Sequence, residues 1–138
     1  MQSRHFIALA ALCMLLAVAA GAFGAHALRA VLSADLLAVW QTAVLYQMVH
    51  GLGLLAIGIL LMHTQATQAT QATPPTPQRL LRWSGVAMLL GIVLFSGSLY
   101  LLALTGIRGL GAITPFGGLA FLFAWGCLAW WAWRASVV

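Results

Sequence analysis

The sequence predicts an all-α polytopic membrane protein, a bundle of four transmembrane helices, and three observations predict it. Hydrophobic residues make up 64% of the 138 residues and charged residues 5%, against about 25% charged in a soluble domain. The apolar residues gather into four stretches, 6–25, 40–62, 80–104 and 116–134. Each is about 18 residues or longer, enough to cross a ~30 Å hydrocarbon core as a helix rising 1.5 Å per residue. The prolines and all but a few strongly polar residues fall between or at the ends of these stretches. The length suits one four-helix membrane domain over residues 1–138 and leaves no room for a soluble one.

Helix one covers residues 5–27. Its Ala17, Gly21, Gly24 and Ala25 recur every three or four positions and so share a face. Small residues let helix backbones approach closely in lipid, where packing holds helices together, so this face is expected against a neighbour. Arg4, the apolar run and Ala25-His26-Ala27 have the outline of a signal peptide. The run is longer than a usual signal core, so it reads as a retained first span.

Residues 28–39 hold Arg29, Ser33 and Asp35. Ser33 is placed to cap helix two, with Asp35 in its first turn beside the positive end of the helix dipole. A helix over 34–62 would be about 43 Å long, so its first turns are expected beyond the core, with Trp40 marking the lipid boundary. Residues 64–78 contain a triple Gln-Ala-Thr repeat and then Pro74, Pro75 and Pro77. That composition predicts a flexible, solvent-exposed linker.

Helix three runs to about residue 104 and carries Ser96-Gly97-Ser98 past its midpoint. A glycine-rich turn with Arg108 follows. Thr114-Pro115 reads as N-cap and first residue of helix four, because proline lacks the N–H that this position leaves unpaired. Helix four ends in Trp130, Trp131, Trp133 and Arg134.

Charge sets orientation. The net +5 comes from six arginines and one aspartate. With four spans, Arg4, Arg79, Arg82 and Arg134 share one side and Arg29 and Arg108 the other. The positive-inside rule then expects both termini in the cytoplasm and the chain in the cell (inner) membrane. Trp83, Trp130, Trp131 and Trp133 are expected as an aromatic belt on the termini side. The arginines sit where lipid phosphates lie, so the lipid bilayer is the expected partner and nucleic acid is not. Cys13 and Cys127 fall inside spans and read as inert thiols. A short likeness of Met14-Leu15-Leu16-Ala17 to Met88-Leu89-Leu90-Gly91 hints at a duplicated pair of spans, though such matches also arise by chance in apolar sequence.

Polar groups within spans are expensive and usually face the bundle interior. The candidates form an intramembrane cluster: His26, Tyr46, Gln47, His50, Ser96, Ser98 and Tyr100. His50 has Gln47 and Tyr46 three and four residues before it, on one flank of the helix. Two readings of His50 stand together: a proton, metal or ligand site, or a neutral ring bonded to a neighbouring helix as structural glue. A zinc site needs at least three ligands and no third is spaced for it, so no metal and no cofactor is expected. No Asp or Glu lies within a span and no Ser-His-Asp, Cys-x-x-Cys or His-Glu-x-x-His set occurs. An enzyme is therefore not expected. Gly21, Gly24, Gly51, Gly97, Gly117 and Gly118 are the candidate helix-packing positions.

The runs GAFGAHALR (21–29), TAVLYQMVHGLGLL (42–55), LFSGSLYLLALTG (94–106) and ITPFGGLAFLFAW (113–125) closely resemble domain-of-unknown-function family 423, the small inner-membrane proteins like YgdD and transmembrane protein 256. The resemblance touches all four spans; the Gln-Ala-Thr linker looks particular to this chain. It implies a four-helix inner-membrane protein and brings no activity with it. Two functions remain: a structural or accessory subunit acting through a homo-oligomer or larger membrane complex, or an oligomeric small-solute transporter or channel built on the cluster around His50. Geometry discriminates them, because transport needs the cluster to converge on one cavity.

Overall fold

The computed structural model describes residues 1–70 and 78–135. Its helices are α1 (Ser3–His26), α2 (Ala34–Thr70), α3 (Gln78–Gly91), α4 (Gly97–Thr105) and α5 (Thr114–Ala135). A π-helical turn at Ile92–Ser96 joins α3 to α4 without a break. Among the described residues four stretches are thus long and apolar enough to cross a membrane: Ser3–Ala30, Ala34–Ala66, Gln78–Thr105 and Arg108–Ala135. No strand occurs among the described residues.

Local chemistry explains the ends. The Leu36 N–H donates to the Ser33 side-chain oxygen at 3.4 Å, and Asp35 lies in the first turn of α2. α4 stops at Gly106, which takes φ +71° while its N–H donates to the Leu102 carbonyl at 2.8 Å. Glycine adopts that left-handed geometry without the Cβ penalty. The expected linker starts later than residue 64, because α2 continues through Thr70. Ala and Gln sustain a helix well, the Thr64 hydroxyl donates back to the Leu61 carbonyl at 3.1 Å, and Ser3 donates to Gln65 at 3.2 Å. Residues 71–77, with the prolines, lie outside the described residues.

Consecutive spans run antiparallel. Ser3 meets Gln65 at one end, and the Phe6 ring lies against Gly85 near the start of α3. Ser98 meets Thr114 toward the other end. The chain therefore forms two helical hairpins, α1 on α2 and the third span on α5. α2 packs against α3, the π turn and α4 to join them, while α1 and α5 form the flanks. Phe6, Leu54, Ile57, Leu61, Leu81 and Met88 are the fully buried centre. Large side chains of one helix fill the space over glycines of another: Phe6 over Gly85, Phe6 and Ile7 over Gly58, Phe121 over Gly91; over Gly117 it is the backbone of Phe95 that comes close. In lipid this close approach is what packing energy consists of.

Two tryptophans depart from the interfacial role expected of them. Trp40 is 6% exposed and stands between helices rather than at a boundary, because its indole N–H finds an acceptor on α1 and Gly24 leaves it room. Trp131 is buried, being on the inward stripe of α5 with Phe121, Ala124 and Cys127. Trp83, Trp130 and Trp133 remain exposed.

A candidate polar site within the bundle

Gln47 is 6% exposed at the centre of three spans. Its side-chain amide donates to the Cys13 carbonyl of α1 at 2.8 Å. Its Oε1 accepts from the Tyr100 hydroxyl of α4 at 2.9 Å. A backbone carbonyl can only accept, which fixes which end of the amide faces α1. The Tyr100 ring in turn packs against Trp40 with centroids 4.6 Å apart. The Trp40 indole N–H donates to the Ala20 carbonyl at 2.9 Å, and Phe23 meets its edge. A Cβ at Gly24 would lie 2.6 Å from that indole nitrogen, so the glycine is what admits the ring. Gln47 and Trp40, seven residues apart on one face of α2, thus clamp α1 on one side and Tyr100 on the other.

His50 belongs to a different group. Its Nδ1 lies 2.7 Å from the Tyr46 carbonyl. The carbonyl can only accept, so Nδ1 carries a proton. The ring lies nearly flat on Phe121 of α5, centroids 3.4 Å apart and planes 13° from parallel. Tyr46 stacks on Phe95 of the π turn at 4.3 Å and sits beside His50 at 5.7 Å. The π turn carries Phe95 so close to α5 that its backbone N adjoins the position a Cβ of Gly117 would take.

The remaining candidates are scattered. Ser98 donates to the Phe95 carbonyl at 3.0 Å, which leaves its oxygen to accept from Thr114 at 2.9 Å. The Thr114 hydroxyl is used there, between helices. Ser96 is 1% exposed and its hydroxyl has no partner among the described residues. His26 is exposed in the last turn of α1. Among the packing glycines, a Cβ at Gly51 would lie 2.9 Å from Met14 Sδ and one at Gly21 3.6 Å from Val44; at Gly118 the nearest atom is 4.0 Å away, and at Gly97 nothing lies within 4 Å. Cys13 and Cys127 are free thiols.

Sequence reasoning passed over the apolar half of the site: the inward Trp40, Phe95 and Phe121, and Ser84, whose hydroxyl donates to the Ala124 carbonyl at 2.7 Å. The available signal for Ser84 was its place on the inward stripe Leu81–Ser84–Met88 of α3. Among the described residues no group of three or more His, Cys, Asp or Glu is placed to hold a metal ion. Among the described residues are grooves of about 230 to 610 Å³ with mostly apolar walls; Ser98 and Tyr100 line one of about 470 Å³, and Gln47 and His50 line none of these. Gln47 pairs with Tyr100 and Tyr46 sits beside His50, while Ser98 bonds Thr114 elsewhere, so the cluster divides into separate groups.

Fold and site together define a four-span membrane protein whose helices are locked by buried polar and stacked aromatic contacts. The chain belongs to the family described as "Protein of unknown function (DUF423)", which matches residues 20–118. It is 49% identical over 120 residues to a UPF0382 membrane protein of Staphylococcus haemolyticus, covering 87% of this chain and 88% of that one. A UPF0382 membrane protein of Staphylococcus saprophyticus is 51% identical over 120 residues, covering 87% of this chain and 89% of the relative. The UPF0382 membrane protein YwdK of Bacillus subtilis is 44% identical with the same coverage. No solved structure matches the chain.

Proposed function

We propose that the chain is an accessory subunit of the cell (inner) membrane, acting by self-association or by docking on a larger membrane complex, and that it neither catalyses a reaction nor passes a solute. One observation carries this reading: Gln47, a buried polar side chain, spends both ends of its amide on neighbouring helices. Ser84 and Ser98 likewise bond across spans, while His50 bonds within α2 and stacks on Phe121 of α5, so these groups act as glue. The broad apolar flanks of α1 and α5 supply surface for lipid or for other spans. Arginine asymmetry supports both termini in the cytoplasm, which a reporter fused to the C-terminus would check.

Crosslinking in native membranes, followed by native mass spectrometry in mild detergent, tests the reading. A homo-oligomer or a defined membrane partner is expected. A lone monomer with no crosslinked species would refute association. Solute flux into proteoliposomes that falls with His50→Ala would replace this reading with transport.

A further inference from the structure

Three apolar grooves on the α3 and α5 flank share walls. One of about 610 Å³ lies along Trp83, Leu90, Leu119 and Phe123. The next, about 370 Å³, runs from Trp83 and Phe123 to Gly126 and Trp130. The third, about 460 Å³, continues from Gly126 and Trp130 to Arg134. Together they make one furrow, open at Gly126, where a Cβ would meet nothing within 4 Å. From Leu90 back to Arg79 is about 16 Å of helix, and from Leu119 to Arg134 about 22 Å. One leaflet of a ~30 Å core is about 15 Å deep. The furrow therefore runs from the headgroup level to near the bilayer centre.

Its outer end is positive. The Arg79 guanidinium lies over the Trp83 ring at 5.7 Å and the Arg134 guanidinium over the Trp130 ring at 5.5 Å. Those cation–π contacts hold each charge beside the aromatic wall. The chain's single acidic residue, Asp35, begins α2 at the opposite end of the bundle. No side-chain carboxylate of the described residues therefore stands beside the two arginines. Guanidinium groups bind phosphate through paired, charge-assisted hydrogen bonds.

We propose that this furrow is a binding site for an anionic phospholipid, with an acyl chain along the α3–α5 groove and the phosphate on Arg79 and Arg134. The site stands apart from the accessory role, since it needs no protein partner.

The test uses the full chain in dodecylmaltoside, stripped of lipid and titrated with phosphatidylglycerol or phosphatidylcholine of the same acyl chains. Native mass spectrometry counts the lipids bound. The first site should prefer phosphatidylglycerol by about thirtyfold, the effect of two arginines near the headgroup. Arg79→Gln with Arg134→Gln should bring the two lipids close to parity. Arg29→Gln with Arg108→Gln, at the other end, should leave the preference intact. Gly126→Leu, which fills open space and disturbs no core contact, should weaken the first lipid of either kind about tenfold. Equal affinity for the two lipids in the unaltered protein, or equal losses from both arginine pairs, would overturn the proposal. So would full phosphatidylglycerol binding by Gly126→Leu, and that result stands even if an arginine variant fails to fold.

Discussion

Replacing Gln47 with leucine removes a side chain that bonds α1 and α4 at once. The Cys13 carbonyl keeps its place in the α1 helix and loses only a second bond. The Tyr100 hydroxyl loses its acceptor and is left in an apolar setting. A hydrogen bond between membrane helices is worth on average about 0.6 and at most about 1.7 kcal/mol, and stranding a buried hydroxyl costs about 1–3 kcal/mol. Gln47→Leu should therefore lower stability by about 2–3 kcal/mol. Tyr100→Phe, which leaves only the Gln47 oxygen short of a partner, should lower it by about 1 kcal/mol. With both changes made, neither group is stranded, so the double variant should recover about 1 kcal/mol relative to the sum of the singles. Unfolding in mixed micelles of rising dodecyl sulfate content is the assay. Trp40 is a built-in reporter, since its ring lies 4.6 Å from that of Tyr100. A coupling within about 0.3 kcal/mol of zero would refute the bond between the two side chains.

Gly24→Ala and Gly97→Ala should separate sharply. The first puts a Cβ against the Trp40 indole and should cost about 1–3 kcal/mol by overpacking, with a shift in tryptophan emission; the second meets nothing and should raise stability by up to about 1 kcal/mol, both read in the same unfolding assay. His50→Phe, which keeps a ring on Phe121, should be tolerated better than His50→Ala, expected to lose about 2–4 kcal/mol through the cavity it leaves; equal losses in thermal melts would show that stacking is not what the ring contributes. Ser96→Ala removes a buried hydroxyl that has no partner among the described residues and should be neutral or stabilising by about 1 kcal/mol, a result that a loss of melting temperature would contradict. Ser84→Ala removes the hydroxyl's bond to the Ala124 carbonyl and should cost about 0.6 kcal/mol, measured the same way.

The spans and the Ser33 cap were legible because each depends on neighbours in sequence: a run of apolar residues, or a hydroxyl three residues before the N–H it accepts. The cluster was only half legible for the opposite reason. Tyr46, Gln47 and His50 adjoin on α2, yet Gln47 turns to Cys13 and Tyr100 while Tyr46 and His50 turn to Phe95 and Phe121. Which neighbour each meets depends on how far each helix is rotated, and that is set by long-range pairs such as Phe121 over Gly91. Trp40 reads as a boundary residue until Gly24 is known to lie opposite it. The π turn leaves little trace in composition, since Ile92–Ser96 is as apolar as what precedes it, but it re-aims Phe95 onto α5. The overrun of α2 into the Gln-Ala-Thr segment reflects a conflict between low complexity, which reads as a linker, and the helix preference of Ala and Gln.

The division of labour at Gln47 bears on how the chain is assembled during synthesis. α1 and α2 emerge first, and within that hairpin the amide N–H already has its acceptor at Cys13. The Oε1 has none until Tyr100 arrives with the second hairpin. In hydrocarbon an unpaired amide oxygen is costly, so the newborn first half carries an unmet polar demand at a defined depth. The second half brings one hydroxyl that answers it. Docking of the two halves is then guided by a keyed polar contact, whereas apolar faces alone would allow the hairpins to slide or rotate past one another.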